Sequence, residues 1–211
     1  MVDSRRERRH RATREEILAV ARGLMLEEGV EGLSIREVAR RTGFSPASLY
    51  TYFASKEEII VALTEESFRE LNEYMSRVPD DLPADERLIQ LGLAYMEFAE
   101  DNPADMACVV DSSMASELPP GLDPSLGRAA AHKLSETLRD GVAAGVFRGG
   151  DEAAVAETAF GLWALVHGMA VLRDADSGRP APGVRIDRRR VLRGAVEGLK
   201  RGGRGALVHC L

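Results

Sequence analysis

Apolar residues recur at helical spacing along the whole chain, and no stretch alternates apolar and polar positions as a β-strand would. Thr13 with Glu16 has the spacing of a capping box, which predicts a helix start at that point. The residues that follow give this helix one apolar face: Ile17, Val20, Ala21, Leu24 and Met25. Gly29 and Gly32 end it. The pattern predicts an all-α protein whose first packed helix begins near Thr13.

Two further capping-box pairs divide the next part of the chain into helices. Ser34 with Glu37 predicts a second helix that runs to Arg41, and Ser55 with Glu58 opens a long fourth helix. The three starts lie within 46 residues of one another. This spacing leaves room only for short turns, so we predict a compact helical unit in the first part of the chain.

A very short third helix is predicted between them, from Pro46 to Phe53. The Thr42-Gly43 pair breaks the second helix. Ser45 can cap the third helix, and Pro46 suits its first position because a missing N–H costs nothing there. The predicted helix is about 12 Å long, which is comparable with the width of a DNA major groove.

A helical wheel gives each side chain of the third helix a direction. Leu49 and Phe53 are four residues apart and define the buried face. Tyr50 and Tyr52 fall about 80° to either side of the centre of that face. The outward positions hold small residues: Ala47, Ser48 and Thr51. Such a helix can sink into a major groove, where hydroxyl and methyl groups contact base edges and the two phenols reach the phosphates on either wall.

After a break at residues 78–86 the composition changes and longer helices follow. The apolar pattern places helices at 84–100, around Met106 and Val110, and at 126–146, 151–173 and 186–200. The helix at 151–173 is apolar nearly all round, which predicts cover on more than one side. We therefore predict five parts: a disordered basic arm (1–12), a helix-turn-helix domain (13–54), a connecting helix (55–77), a second helical domain (78–202) and a tail (203–211).

The composition is that of a folded protein of one large or two small domains, with 45% hydrophobic and 29% charged residues among 211. Cys108 and Cys210 form no CxxC pair, which favours a reducing cytosol and predicts neither a disulfide framework nor a zinc site. The first 16 residues are Arg-rich and lack an apolar signal segment. The longest apolar stretch, Thr158–Leu172, has 15 residues, short of the roughly 20 that span a bilayer. We expect a cytoplasmic protein with no membrane partner.

The charge is unevenly distributed along the chain. Residues 1–56 hold 11 Lys and Arg against 8 Asp and Glu, a net charge of +3, whereas the remainder holds 17 against 26, a net charge of −9. Most of the excess lies at the start of the chain, in the predicted arm and just after it: Arg5, Arg6, Arg8, Arg9, Arg11 and Arg14. A basic end on an acidic chain is typical of a segment that binds a polyanion, although a solvated, disordered terminus has the same composition.

No pattern of catalytic or metal-binding residues is present in the sequence. The four histidines, at positions 10, 132, 167 and 209, form no HExxH or other ligand spacing. There is no Walker loop, no GxSxG elbow and no GxGxxG after a strand. We therefore predict no enzyme, no cofactor and no metal. A helical adaptor that binds proteins through its apolar C-terminal helices is an alternative, but it leaves the basic arm and the groove-sized helix unexplained.

Residues 33–60, LSIREVARRTGFSPASLYTYFASKEEII, resemble the DNA-binding signature of the TetR family of transcriptional regulators. The diagnostic parts are Gly43-Phe44-Ser45, Leu49-Tyr50, Tyr52-Phe53 and Ser55-Lys56-Glu57. The resemblance implies a TetR-like fold, in which a three-helix helix-turn-helix domain precedes a helical ligand-binding and dimerisation domain. It also implies a set of DNA contacts: Ser34, Ser45, Pro46, Ala47, Ser48, Tyr50, Thr51, Tyr52 and Lys56.

Two details of the resemblance bear on DNA recognition. Tyr52 stands where many relatives have His or another residue, so the resemblance implies a phosphate contact there but no particular operator sequence. The family's segment before the first helix can enter the minor groove. That role is implied here for Arg8, Arg9 and Arg11.

The stretch GLWALVHGMAVL, residues 161–172, looks like the Trp-x-x-x-His-Gly segment of a TetR C-terminal subgroup called the WHG domain. The resemblance implies that the last two long helices form a four-helix dimer interface, to which we assign Phe160, Ala164, Val191, Leu192, Ala195, Val196 and Leu199. It also implies a ligand pocket in the second domain, with candidate lining residues Tyr95, Met96, Phe98, Met106, Trp163 and His167. Each of these six can equally be an ordinary core or interface residue.

These observations predict a homodimeric transcriptional repressor that binds an inverted-repeat operator in double-stranded DNA. A small hydrophobic or amphipathic effector would release it. A ligand-independent or activating regulator of the same fold, and the helical adaptor, are the alternatives.

Overall fold

The computed structural model describes residues 4–114, 120–172 and 186–201. Within these ranges the chain forms helices without any strand, so the all-α prediction is confirmed. The helices are α1 (Arg5–Gly32), α2 (Ile35–Thr42), α3 (Pro46–Leu49), α4 (Lys56–Ser76), α5 (Ala84–Asp101), α6 (Pro103–Met114), α7 (Pro124–Ala143), α8 (Glu152–Val171) and α9 (Arg188–Arg201). The predicted tail at 203–211 lies outside the described residues.

Helix α1 begins eight residues earlier than predicted, at Arg5 instead of Thr13. Ser4 Oγ accepts a hydrogen bond of 3.2 Å from the Glu7 N–H, and the Glu7 carboxylate accepts one of 2.6 Å from the Ser4 N–H. Hydrogen bonds from the Ser4 backbone and side chain to the carboxylate lower the pKa of Glu7. The capping box therefore belongs to Ser4, and residues 5–12 are helical where a disordered arm was expected.

The described residues divide into two compact units. The first unit takes residues up to Arg69 together with Asn102–Pro124, and the second takes Glu70–Asp101 with the residues after Pro124. The core of the first unit is formed by side chains of α1, α2, α3 and α4, among which Ile17, Leu24, Val38, Leu49 and Leu63 are fully buried. Gly29 breaks α1 near its end with a φ of +71°, a conformation that glycine adopts at little cost.

Helix α6 belongs to the first unit, which corrects the predicted domain of residues 78–202. Its Cys108 is 1% exposed within the core of that unit. Asp105 accepts a hydrogen bond of 2.8 Å from the buried Ser67 hydroxyl of α4. Arg22 Nε of α1 lies 3.1 Å from the same carboxylate. These contacts join segments far apart in sequence, which hydrophobic periodicity does not reveal.

In the second unit α5 packs against α8 and α9. The approach of α9 is close at Gly92, where an added Cβ would lie 2.9 Å from a methyl group of Leu192. Leu192 and Val196 are each 2% exposed, so both side chains face the interior of the chain. Their expected place in a dimer interface is therefore corrected: neither side chain offers surface to a partner.

Helix α8 combines high hydropathy with partial exposure. Among the described residues it is the one helix that is long and apolar enough by composition to cross a membrane. An 18-residue window within it has a mean hydropathy of 1.4, and 28% of that window is buried. Phe160 is 66% exposed and Val171 is 49% exposed. The predicted need for cover on more than one side is thus only partly met within the protomer.

Candidate nucleic-acid interface

Helices α2 and α3 are joined by a sharp turn at the predicted position. Gly43 ends α2 in the left-handed region, with a φ of +73°. The Thr42 hydroxyl donates a hydrogen bond of 2.8 Å to the Val38 carbonyl at the end of α2. Ser45 then caps α3, since its Oγ accepts a bond of 3.1 Å from the Ser48 N–H, and Pro46 takes the first helical position. The segment therefore has the local geometry of a helix-turn-helix.

Helix α3 is shorter than the wheel assumed, because the α-helix ends at Leu49 and not at Phe53. The Tyr50 N–H still bonds four residues back to Pro46, but the N–H groups of Thr51 and Tyr52 bond three residues back, to the Ser48 and Leu49 carbonyls. The Thr51 hydroxyl also donates to the Ser48 carbonyl at 2.7 Å. Aromatic and β-branched residues lose side-chain freedom in a helix, and this local bond offers the backbone an alternative to helix. A tight turn thus replaces the predicted second half of the helix.

The directions predicted for the side chains are nevertheless confirmed by their burial. Leu49 and Phe53 are 0% and 1% exposed and fix the segment to the core. The outward positions are all exposed: Ser45, Pro46, Ala47, Ser48 and Thr51. This surface is small, polar and methyl-rich, as contact with base edges in a major groove requires.

The two tyrosines have different surroundings. Tyr50 is 56% exposed, so its phenol is available to a partner. Tyr52 is half-buried, and its ring stacks on the His10 imidazole with centroids 4.7 Å apart and planes at 30°. One turn along α1, the Arg14 guanidinium lies over the Phe53 ring, 4.3 Å from its centroid. The sequence analysis missed both contacts. Their signal was the four-residue spacing of His10 and Arg14, which puts both on one face of a helix.

The remaining predicted phosphate contacts lie at helix starts. Ser34 is exposed and caps α2, its Oγ accepting a bond of 3.2 Å from the Glu37 N–H. Lys56 is the half-buried first residue of α4. The Glu37 carboxylate does not complete a capping box but binds Arg40 and Arg41, and these bonds lower its pKa to about 2. It therefore stays ionised next to the candidate interface.

Arg41 fixes the end of α1 to α2. Its guanidinium lies 2.7 Å from a Glu27 oxygen, 2.9 Å from Glu28 and 3.0 Å from Glu37. Three carboxylates from two helices thus share one cation. This arrangement positions α2 relative to α1 and engages the Arg41 guanidinium in ion pairs within the protein.

In the second unit three of the six predicted pocket residues, Tyr95, Trp163 and His167, form one cluster. The Tyr95 hydroxyl and His167 Nδ1 are 2.7 Å apart, and the Trp163 ring lies 4.9 Å from the imidazole. Burial raises the pKa of Tyr95 and lowers the pKa of His167. A neutral phenol and a neutral imidazole therefore share this hydrogen bond, which links α5 to α8.

The other candidates divide between the units. Met96 and Phe98 are 2% and 0% exposed core residues of α5, whereas Met106 lies on α6 in the first unit. A groove of about 790 Å³ in the second unit is lined mainly by polar and charged residues of α7, together with Asp80 and Arg87, and a cavity of about 90 Å³ lies near Phe147. None of the six predicted pocket residues lines either space.

Comparison with known sequences supplies the family. Residues 17–63 match the model of the bacterial regulatory proteins of the tetR family, and residues 88–199, more than half of the chain, match the Tetracyclin repressor-like C-terminal domain. The HTH-type transcriptional regulator Rv1816 of Mycobacterium tuberculosis is 28% identical over 136 residues, which are 63% of this chain and 57% of that protein. The match thus spans less than two thirds of that curated relative.

Solved structures agree in fold. A protein of unknown function from Rhodococcus sp. RHA1 is 27% identical, with a TM-score of 0.70 over 90% of this chain and 94% of that one. The TetR family transcriptional regulator PfmR of Thermus thermophilus is 24% identical, with a TM-score of 0.64 over 96% and 98%. FadR of Bacillus subtilis, solved in complex with stearoyl-CoA, is 16% identical, with a TM-score of 0.67 over 90% and 98%. With its helix-turn-helix and both matching domains, this chain belongs to the TetR family of DNA-binding transcriptional regulators.

Proposed function

We propose that the protein is a cytoplasmic, homodimeric repressor that binds an inverted-repeat operator and is released by a small hydrophobic or amphipathic effector. The observation that carries the proposal is the exposed surface of α3, where small residues face outward while Leu49 and Phe53 anchor the segment to the core. Each protomer offers one such reading element. A two-fold dimer therefore reads two inverted half-sites.

Selection from genomic DNA tests this function. Purified protein is mixed with fragmented DNA from its source genome at about physiological salt, and the retained fragments are sequenced. We expect a shared inverted repeat. Retention that is salt-sensitive but without any common sequence, both with and without added cell extract as an effector source, would contradict sequence-specific reading.

Tyr50 supplies the first mutational prediction. Its exposed hydroxyl is proposed to donate to a DNA phosphate, and a hydrogen bond to a charged group contributes about 1.5–3 kcal/mol. Tyr50→Phe should therefore weaken binding to the selected operator by about tenfold or more, as measured by fluorescence anisotropy. Leu26→Ala is the matched control, since Leu26 is a similarly exposed apolar residue, 55% exposed on α1. If Tyr50→Phe binds as tightly as this control, the phenol hydroxyl makes no phosphate contact.

The dimer is proposed to form through the exposed stripe of α8. The stripe, defined by Phe160, Ala164, Gly168 and Val171, follows helical spacing of three and four residues, so its members share one face. Exposed Val191 adds apolar surface on α9, and Ala195 and Leu199 are half-buried there. Burying this apolar surface against a second copy removes it from water, which favours association.

Gly168 gives a test of helix approach. A methyl group at Gly168 meets nothing within 4 Å in the protomer, and the same holds for Gly23 of α1. Alanine is a better helix former than glycine by about 1 kcal/mol, so both Gly→Ala variants should be as stable as the parent or more so. If a partner helix lies against the stripe, Gly168→Ala should weaken dimerisation by roughly tenfold, since overpacking costs about 1–3 kcal/mol. Gly23→Ala should leave it unchanged in sedimentation, and equal dimerisation of the two variants would contradict close approach at Gly168.

The effector site is proposed to include the Tyr95–His167 pair. A phenol and an imidazole that satisfy each other within apolar surroundings can instead bind one polar group of a ligand whose body is apolar. FadR of Bacillus subtilis, which shares the fold, holds stearoyl-CoA, a molecule with that combination of groups. Effector binding would shift the population towards a dimer unable to engage both half-sites, with a coupling of about 1–3 kcal/mol. An effector that binds without changing DNA affinity would contradict this coupling.

A further inference from the structure

The helical start of α1 is longer than its packing requires. The first buried residue of α1 is Ile17, and residues 4–12 are all exposed. A helix at a protein surface is usually stabilised by an apolar face that it buries, and these turns bury none. The Ser4 capping box and the contacts of His10 and Arg14 with aromatic rings stabilise this segment instead. Two side chains thus attach a highly basic helical segment to the turn that follows α3.

The basic residues of this segment have defined directions. At 100° per residue, Arg6 and Arg14 lie near the His10 side, which faces the tyrosine. Arg5 and Arg8 point to the opposite side, and Arg9 lies to the flank. All are exposed except Arg14, which is half-buried. A helix that carries this many guanidinium groups next to a DNA-reading element has the charge and geometry of a phosphate-binding surface.

We propose that the first turns of α1 form a helical clamp on the DNA phosphate backbone, and that His10 is its positioning residue, because its stacking on Tyr52 fixes the clamp to the reading element. This inference rests on the proposed operator binding. It replaces an arm in the minor groove by a rigid helix on the phosphates. A rigid clamp loses less conformational freedom on binding than a disordered arm would.

The clamp predicts an effect on the salt dependence of binding. Each phosphate contact contributes about 0.9 to the slope of log K against log salt. The double variant Arg5→Ala with Arg9→Ala should therefore reduce the slope by up to about 2 for each protomer bound. It should reduce affinity for the operator and for unrelated DNA by similar factors, because phosphate contacts carry no sequence information.

Two variants of His10 distinguish the stacking of its aromatic ring from the hydrogen bonding of its nitrogens. His10→Ala removes the stack and should weaken operator binding by about fivefold and reduce the salt slope. His10→Phe keeps an aromatic ring on Tyr52 and should restore both quantities. The matched control is His132→Ala, because His132 is an exposed histidine of α7 in the second unit. Far-UV circular dichroism checks that each variant keeps its helix content.

A double-mutant cycle distinguishes positioning from an independent contact. If His10 acts by placing the arginines, the arginine double variant should cost much less affinity in the His10→Ala background than in the parent. Additive losses, or no loss with His10→Ala, would overturn the positioning role. An unchanged slope for the arginine double variant would overturn the clamp. A parent protein that retains no specific DNA at all would instead contradict the proposed function.

Discussion

Phe160→Glu should convert the proposed dimer into a monomer at micromolar concentration without unfolding the protomer. Phe160 is 66% exposed on α8 and stacks only partly on Trp163, at a centroid distance of 5.8 Å. The protomer therefore loses little when this ring is replaced. In a two-fold interface the change removes an aromatic anchor from both copies and introduces two like charges near the axis. Together these effects cost about 4 kcal/mol, or roughly a thousandfold in the dissociation constant.

Analytical ultracentrifugation measures this dissociation, and urea unfolding verifies the stability of the protomer. Operator affinity should fall in parallel, because a monomer engages one half-site. Phe160→Leu should remain a dimer, since an apolar side chain is retained. Leu26→Glu provides the matched charge control, as Leu26 is 55% exposed on α1 in the first unit. A Phe160→Glu protein that still sediments as a dimer would place the interface elsewhere.

Sequence patterns predicted the elements of this fold more reliably than their ends. Starts marked by a serine and a glutamate were read at Ser34 and Ser55, and both serines accept the expected backbone bond. The same spacing at Ser4 and Glu7 was overlooked among the surrounding arginines. That pair had the necessary signal, so residues 5–12 could have been predicted as helix. The end of α3 could not, because a wheel assumes α-helical geometry throughout, whereas the Thr51 and Tyr52 N–H groups bond three residues back.

Which helices pack against one another is harder to infer from sequence than which face of a helix is apolar. The resemblance assigned Leu192 and Val196 of α9 to a dimer interface, but α9 packs against α5 of the same chain and both side chains are buried. Likewise Met106 has the spacing of a core residue, and periodicity does not indicate that its helix α6 belongs to the first unit. Such pairings depend on contacts between distant segments, as between Ser67 and Asp105.

The sequence alone predicts the DNA-reading surface more completely than the ligand site. Reading helices present small residues outward and large ones inward, and both types occupy fixed positions within one turn of α3. A pocket is instead built from several helices. The Tyr95–His167 pair unites α5 and α8, and single-helix spacing could suggest each residue but not their hydrogen bond.

Asp105→Ala should destabilise the first unit selectively. The Asp105 carboxylate accepts from Ser67 at 2.8 Å and lies 3.1 Å from Arg22 Nε, while Arg22 Nη2 binds Glu66 at 2.9 Å. Arg22 and Asp105 form an ion pair beside the Ser67 hydrogen bond. Asp105 is only 13% exposed in its side chain. Losing a part-buried charged acceptor costs about 2 kcal/mol of unfolding free energy. The loss is no larger because Glu66 still pairs with Arg22 and the Leu63 carbonyl still accepts from Ser67.

The two units contain separate probes for this loss. Cys108 is 1% exposed in the first unit, so it reacts with a thiol reagent only after that unit opens. In a Cys210→Ser background, Asp105→Ala should therefore accelerate this reaction about 30-fold. The fluorescence of Trp163 reports the second unit and should keep its urea midpoint. Asp140→Ala is the reciprocal control, since Asp140 pairs with the buried Arg87 of α5 at 2.5 Å. It should shift the Trp163 transition and spare Cys108. Unchanged Cys108 reactivity in Asp105→Ala would mean that core packing alone holds α6 to the first unit, with the Arg22–Asp105–Ser67 contacts adding nothing.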